Sequence, residues 1–147
     1  NNYSLAWASD VSEEGFSFRQ GMALVPLDGA KIKKSGKDNK NFSDAGAAKE
    51  STVFDAPCEE KEITQEMRQL AFDNYETTDD HGMHMTGIVK DQNGKKYYII
   101  KNSWGTSYND CDGYFYASEA FVEYKTMDIM LHKDAVPKNI KKKLGIK

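Results

Sequence analysis

The sequence predicts a mixed α+β domain, a twisted antiparallel sheet or half-barrel carrying one main helix and shorter peripheral ones. Three observations lead there. Two runs of strand-forming residues, 83–89 and 96–101, flank the turn Asp91-Gln92-Asn93-Gly94. Ile63, Met67, Leu70 and Ala71 recur at helical spacing. Further short apolar runs lie on both sides of these segments. With 147 residues, 39% of them hydrophobic, the chain has the length of one domain and can bury a modest core.

Taken in order, Leu5-Ala6-Trp7-Ala8 and Met22-Ala23-Leu24-Val25 read as short buried strands, with a turn over residues 9–15 between them. Residues 27–62 are rich in Lys, Asp, Ser, Gly and Ala and poor in aliphatics, which reads as a long surface loop or insertion, partly mobile. The helix that follows has Thr64 as its cap and Glu66 in its first turn, where a carboxylate suits the dipole, and it should end near residues 74–77. The hairpin comes next, its Asn-Gly pair favouring the positive φ angles of a type I′ turn. Residues 113–117 predict another strand, Ser118 caps a short helix through Tyr124, and residues 127–131 predict a last strand. No internal repeat is visible.

A formal net charge of -3 gives no general attraction to nucleic acid or membranes. Lys138, Lys141, Lys142, Lys143 and Lys147 form a local exception, read as a solvated terminal helix with nucleic-acid contact as the weaker alternative. No run reaches the roughly 18 apolar residues of a membrane-spanning helix. The N-terminus lacks both an initiating Met and the pattern of a signal peptide, and it reads like the middle of a longer protein. Localisation is therefore open. The two cysteines, Cys58 and Cys111, are too few for a disulfide framework and match no zinc spacing.

The chemistry concentrates around His81. It precedes an apolar strand and follows Asp79-Asp80, a part-polar, part-buried setting suited to a general base; the alternative is a strand-edge histidine satisfied by backbone. Asn102 ends the return strand of the same hairpin. Its amide oxygen can accept from the ring and fix its tautomer and orientation, provided a bulge or uneven strand ends absorb the stagger. Trp104 can then cover the Asn–His hydrogen bond and keep water from it, and Gly105 permits the chain to turn away. His84 lies three residues from His81 and so points to the other face of a strand, which argues against a shared metal ion; neither a metal nor a cofactor is expected. His132 reads as a surface residue. Cys58 beside Glu59-Glu60 and Cys111 between Asp110 and Asp112 have anionic neighbours, the wrong setting for an activated thiol.

Asp80-His81-Gly82-Met83 followed by Asn102-Ser103-Trp104-Gly105 resembles the His and Asn boxes of papain-like cysteine peptidases. The wider pattern is similar to the bleomycin hydrolase and aminopeptidase C branch: Trp7-Ala8-Ser9-Asp10-Val11, Gly113-Tyr114-Phe115, Glu123-Tyr124 and Val136-Pro137, with Gly87 six positions after His81. The resemblance implies a papain-like fold of which residues 1–147 form the C-terminal, mostly β domain, barrel-like and antiparallel, with 27–62 as an insertion. It implies catalytic roles for His81 as base and Asn102 as orienting residue, with Trp104 as their shield. The box that supplies the nucleophilic Cys is absent, so its N-terminal domain would come from outside the chain. The implied function is the C-terminal part of a cysteine peptidase acting on peptides through a thioester, an aminopeptidase by resemblance, inactive alone. The alternative is a non-catalytic peptide-binding or inert fragment. By resemblance the partners are the N-terminal part of the enzyme, a peptide substrate and further copies in a hexamer, with no membrane. The compartment implied is cytoplasmic, with a secreted or periplasmic one left open because a signal would lie upstream. Members of that branch carry a longer terminal arm that enters the cleft and restricts cleavage to peptide N-termini; this sequence departs from the pattern, stopping at Leu144-Gly145-Ile146-Lys147.

Overall fold

A computed structural model describes residues 3–32 and 51–146; residues 33–50, the middle of the expected insertion, and Lys147 of the basic tail lie outside the described residues. The elements run β1 (Leu5–Ser9), β2 (Phe16–Ser17), β3 (Met22–Ala23), α1 (Gln65–Asp73), β4 (His81–Lys90), β5 (Lys96–Lys101), β6 (Tyr114–Ser118), α2 (Glu119–Lys125), β7 (Thr126–Leu131), a 3-10 turn at Lys133–Ala135 and α3 (Lys138–Leu144). The seven strands form one sheet in the order β2-β3-β6-β5-β4-β1-β7. Every neighbouring pair is antiparallel except β3 and β6, which run parallel with Met22 opposite Tyr116.

The hairpin is where the sequence places it, but its turn differs. The Asp91 carbonyl accepts from Gly94 N–H at 3.0 Å, and Asp91 N–H donates to Lys95 O at 2.9 Å. Only Gly94 takes a positive φ, 83°, while Gln92 and Asn93 do not. This is a tight turn closed by a glycine bulge rather than the type I′ turn expected. The Asp91 side chain explains the choice, since its Oδ1 accepts from Asn93 and Lys95 N–H, both at 2.8 Å, and holds the wider loop.

Helix α1 starts as expected, with Thr64 Oγ1 accepting from Met67 N–H at 3.2 Å. Its inward face is shifted from the predicted stripe. Ala71 is buried and Met67 half-buried, but Leu70 is 63% exposed. Arg68 takes the inward place, donating to Glu123 O at 2.8 Å and Thr126 O at 2.5 Å, the end of α2. Those carbonyls need donors, and a guanidinium reaches two at once. The Ser118 cap of α2 is also present, its Oγ accepting from Phe121 N–H at 3.1 Å.

The main core gathers Trp7, Met83, Met85, Ile100, Phe115 and Phe121 between the sheet and α2. Burying side chains of this size contributes roughly 1.5–3 kcal/mol each. A smaller cluster of Leu24, Val53 and Tyr97 anchors the end of the insertion. Lys125, 3% exposed, runs under this layer. Its ammonium donates to Glu76 O at 3.1 Å and Thr77 Oγ1 at 3.0 Å, and it pairs with Glu13 at 2.5 Å. It thereby joins the β1–β2 turn, the α1–β4 loop and α2. Lys125→Ala is expected to cost about 2–3 kcal/mol, measured by chemical denaturation; a loss below about 0.5 kcal/mol, the size of an ordinary surface change, would refute that role. Among the described residues, no helix is long and apolar enough to cross a membrane.

Candidate functional site

His81 opens β4, and its neighbours set its surroundings. On one side it pairs with Ser9 of β1. On the other, β5 has already ended: His84 is opposite Lys101, and continuing that register sets Trp104 opposite His81. A bulge at Thr86, whose Oγ1 donates to Ile99 O at 3.1 Å, absorbs the extra residue. The stagger between His81 and Asn102 is thus met by both devices, a bulge and uneven strand ends.

The result is a close set. His81 Nε2 lies 2.8 Å from Asn102 Oδ1. The same oxygen accepts from Ser103 N–H at 2.7 Å. A backbone N–H can only donate, so the atom it meets is the amide oxygen, and His81 Nε2 must then carry a proton. In the neutral ring this leaves the lone pair on Nδ1, which has no hydrogen-bond partner among the described residues. Asn102 is 4% exposed, and its Nδ2 is buried without a partner among the described residues.

Trp104 stacks on the His81 ring, with centroids 4.8 Å apart and planes 27° from parallel. The indole is itself held edge-on by Phe16 at 5.9 Å and Phe18 at 5.2 Å, and Phe16 continues edge-on into the core at Phe115. Trp104 stays 41% exposed, so it is a lid over the histidine rather than a core residue. Sequence reasoning missed Phe16 and Phe18. The signal was the alternation Phe16-Ser17-Phe18, which puts both rings on one face of an extended segment.

Beside His81, the 1% exposed Asp10 ties the end of β1 to the loop before β4. Its carboxylate accepts from Ser12 N–H at 2.9 Å, Ser12 Oγ at 2.8 Å and Thr78 N–H at 3.0 Å. Burial pushes the Asp80 carboxyl up, but hydrogen bonds from Thr78 and Ser12 outweigh this and leave it below the ordinary carboxylate value.

The remaining candidates fall elsewhere. His84 is exposed on the opposite face and meets Ser4 Oγ at 2.7 Å. His132 caps the 3-10 turn and stacks on Tyr3. Cys58 lies in the loop against Lys95, whose ammonium donates to its carbonyl at 3.1 Å. Burial first, and Glu60 second, push its thiol above the ordinary value. A raised pKa leaves less thiolate at neutral pH, so Cys58 should alkylate more slowly than a free thiol at pH 8, as followed by mass spectrometry with iodoacetamide. Equal or faster reaction would contradict that environment. Cys111 sits under Gly21, where a Cβ would come within 2.8 Å of its Sγ.

Comparison with known proteins places the chain in a family. Cathepsin L1 of Drosophila melanogaster is 45% identical over 31 residues, a stretch covering 21% of this chain and 8% of that protein. The crystal structure of PepW from Lactobacillus rhamnosis HN001 is similar with a TM-score of 0.56 at 20% identity, covering 98% of this chain and 27% of PepW. The chain therefore spans only a fraction of the length of either, and the PepW likeness carries the α+β, papain-like fold. Residues 25–146, most of the chain, match the sequence model of the Peptidase C1-like family, and to that family this chain belongs.

Proposed function

We propose that this chain is the C-terminal, mostly β domain of a cysteine peptidase, with residues 27–62 a surface insertion and the nucleophilic Cys supplied by an N-terminal domain outside it. The observation that carries the reading is the His81 Nε2–Asn102 Oδ1 contact of 2.8 Å under the Trp104 indole, in a chain of the Peptidase C1-like family. His81 is then the general base and Asn102 its orienting partner. The tautomer supports these roles. With Nε2–H committed to Asn102, Nδ1 is the nitrogen that takes the thiol proton.

The chemistry follows in two halves. The thiolate attacks the peptide carbonyl carbon, and the resulting tetrahedral oxyanion collapses as His81 gives its proton from Nδ1 to the leaving amine. This leaves a thioester. Water then attacks that carbonyl while Nδ1 takes the water proton, and the thiolate departs, releasing the acid. No metal or cofactor takes part in these steps. A second domain also suits the site's open side. Trp104, 41% exposed over the histidine, offers the apolar surface it would cover. The finer reading is an aminopeptidase of the bleomycin hydrolase branch, and assembly as a hexamer goes with it.

The test uses the full-length enzyme and fluorogenic amino-acid amides, with and without a blocked α-amine. Hydrolysis stopped by a thiol-directed epoxide supports the peptidase reading, and preference for the free amine supports the aminopeptidase. Hydrolysis that survives the epoxide, or none at all, refutes it.

A further inference from the structure

The segment that joins β5 to β6 carries both Asn102 and Trp104. From Ser103 to Asp110 its residues are exposed, with one exception: Asn109 turns inward and is half-buried. Both ends of its carboxamide are used on backbone. Oδ1 accepts from Gly113 N–H at 3.0 Å and Cys111 N–H at 3.2 Å, and Nδ2 donates to Tyr114 O at 2.7 Å. Asparagine is suited to this, offering acceptor and donor on one short side chain.

The backbone it holds is the backbone the site rests on. Gly113 O accepts from Asn102 N–H at 3.0 Å. Gly113 also lies against the turn after Trp104, so close that a Cβ there would stand 2.6 Å from Gly105 O. The turn is strained. Asp112 takes φ 51° and Gly113 φ 78°, two left-handed residues in succession. A non-glycine residue in that region costs of order 1 kcal/mol and persists only where its surroundings enforce it. Asn109 and Lys101, whose ammonium donates to Asp112 O at 2.6 Å, supply that enforcement.

We infer that Asn109 is a positioning residue: it locks the 109–114 turn against Asn102 and Gly105, and so keeps Asn102 and Trp104 in register on His81. The inference rests on the reading of His81 as base. An ordinary loop asparagine would stabilise the turn without affecting chemistry, and the test separates the two.

Asn109→Ala and Asn109→Asp are compared in the full-length enzyme, with functional sites counted by a thiol-directed epoxide so that unfolded molecules drop out. Per titrated site, Asn109→Ala is expected to lower kcat about tenfold while KM changes less than about twofold, as misplaced catalytic groups do. Asn109→Asp keeps the two accepted bonds and loses the one to Tyr114 O, so its kcat should fall less, about threefold. In enzyme labelled with 15N-histidine, the His81 Nε2–H proton signal should broaden in Asn109→Ala. Wild-type kcat per site in either variant, or an unmoved His81 signal in Asn109→Ala, overturns the inference. If His81→Ala itself keeps turnover, the catalytic reading fails instead, and the proton signal still reports whether Asn109 positions the ring.

Discussion

Replacing His81 by Ala in the full-length enzyme is expected to lower peptide turnover by about 10³-fold or more, since one side chain would serve both proton transfers. Stability should hardly change. The ring is half-buried, its one hydrogen bond goes to Asn102, and its other contact is the face of Trp104. Loss of such contacts at a strand end costs about 1 kcal/mol or less. Asn102→Ala should be milder, about 10²-fold, because the base remains but its ring is free to turn. Steady-state kinetics with far-UV circular dichroism separates these outcomes. A His81→Ala enzyme within about tenfold of wild type would remove His81 from the chemistry.

The largest effect on stability is expected at Glu60. Its side chain is 3% exposed and pairs with Lys95. One oxygen, Oε1, accepts from Val25 N–H and from Ser118 Oγ, each at 2.6 Å. A single carboxylate thus fastens the end of the insertion to the strand segment after β3 and to the N-cap of α2. Glu60→Ala would leave Val25 N–H and Ser118 O–H without their acceptor, while Lys95, 31% exposed, keeps the Cys58 carbonyl and water. Leaving two buried donors without an acceptor costs about 1–3 kcal/mol each, and Glu60→Gln, which can still accept at Oε1, should cost less. Thermal denaturation of both variants checks this. Equal loss for the two would mean that the charge carries the interaction, and no loss for Ala would show that the loop is not anchored there.

What could be read from the chain depended on how local the physics was. The hairpin, the Thr64 and Ser118 caps and the strands at 5–9, 114–118 and 126–131 follow from period-two alternation and short-range hydrogen bonds, and all were legible. The His81–Asn102 contact was legible too, because one hairpin brings both ends together. Leu70 was misplaced because Arg68 competes for the inward face, and its reward is the carbonyls of Glu123 in α2 and Thr126 at the start of β7, far away in sequence. Lys125 and Glu60 look like ordinary surface charges until distant segments supply oxygens and donors around them. Phe16 and Phe18 escaped because their alternation spans three residues around a two-residue strand, too few to stand out from the flanking turns. The parallel pair β3 with β6, the one such pair among the described residues, depends on a crossover that no local pattern announces.

The most direct measurement of the central claim is intact and peptide mass spectrometry of the full-length enzyme after a thiol-directed epoxide, in wild type and His81→Ala. The account predicts one adduct in the wild type, on a cysteine outside this chain, and little or none at the same time point in His81→Ala, whose thiol lacks its base. An adduct on Cys58 or Cys111, or equal labelling with and without His81, would contradict it.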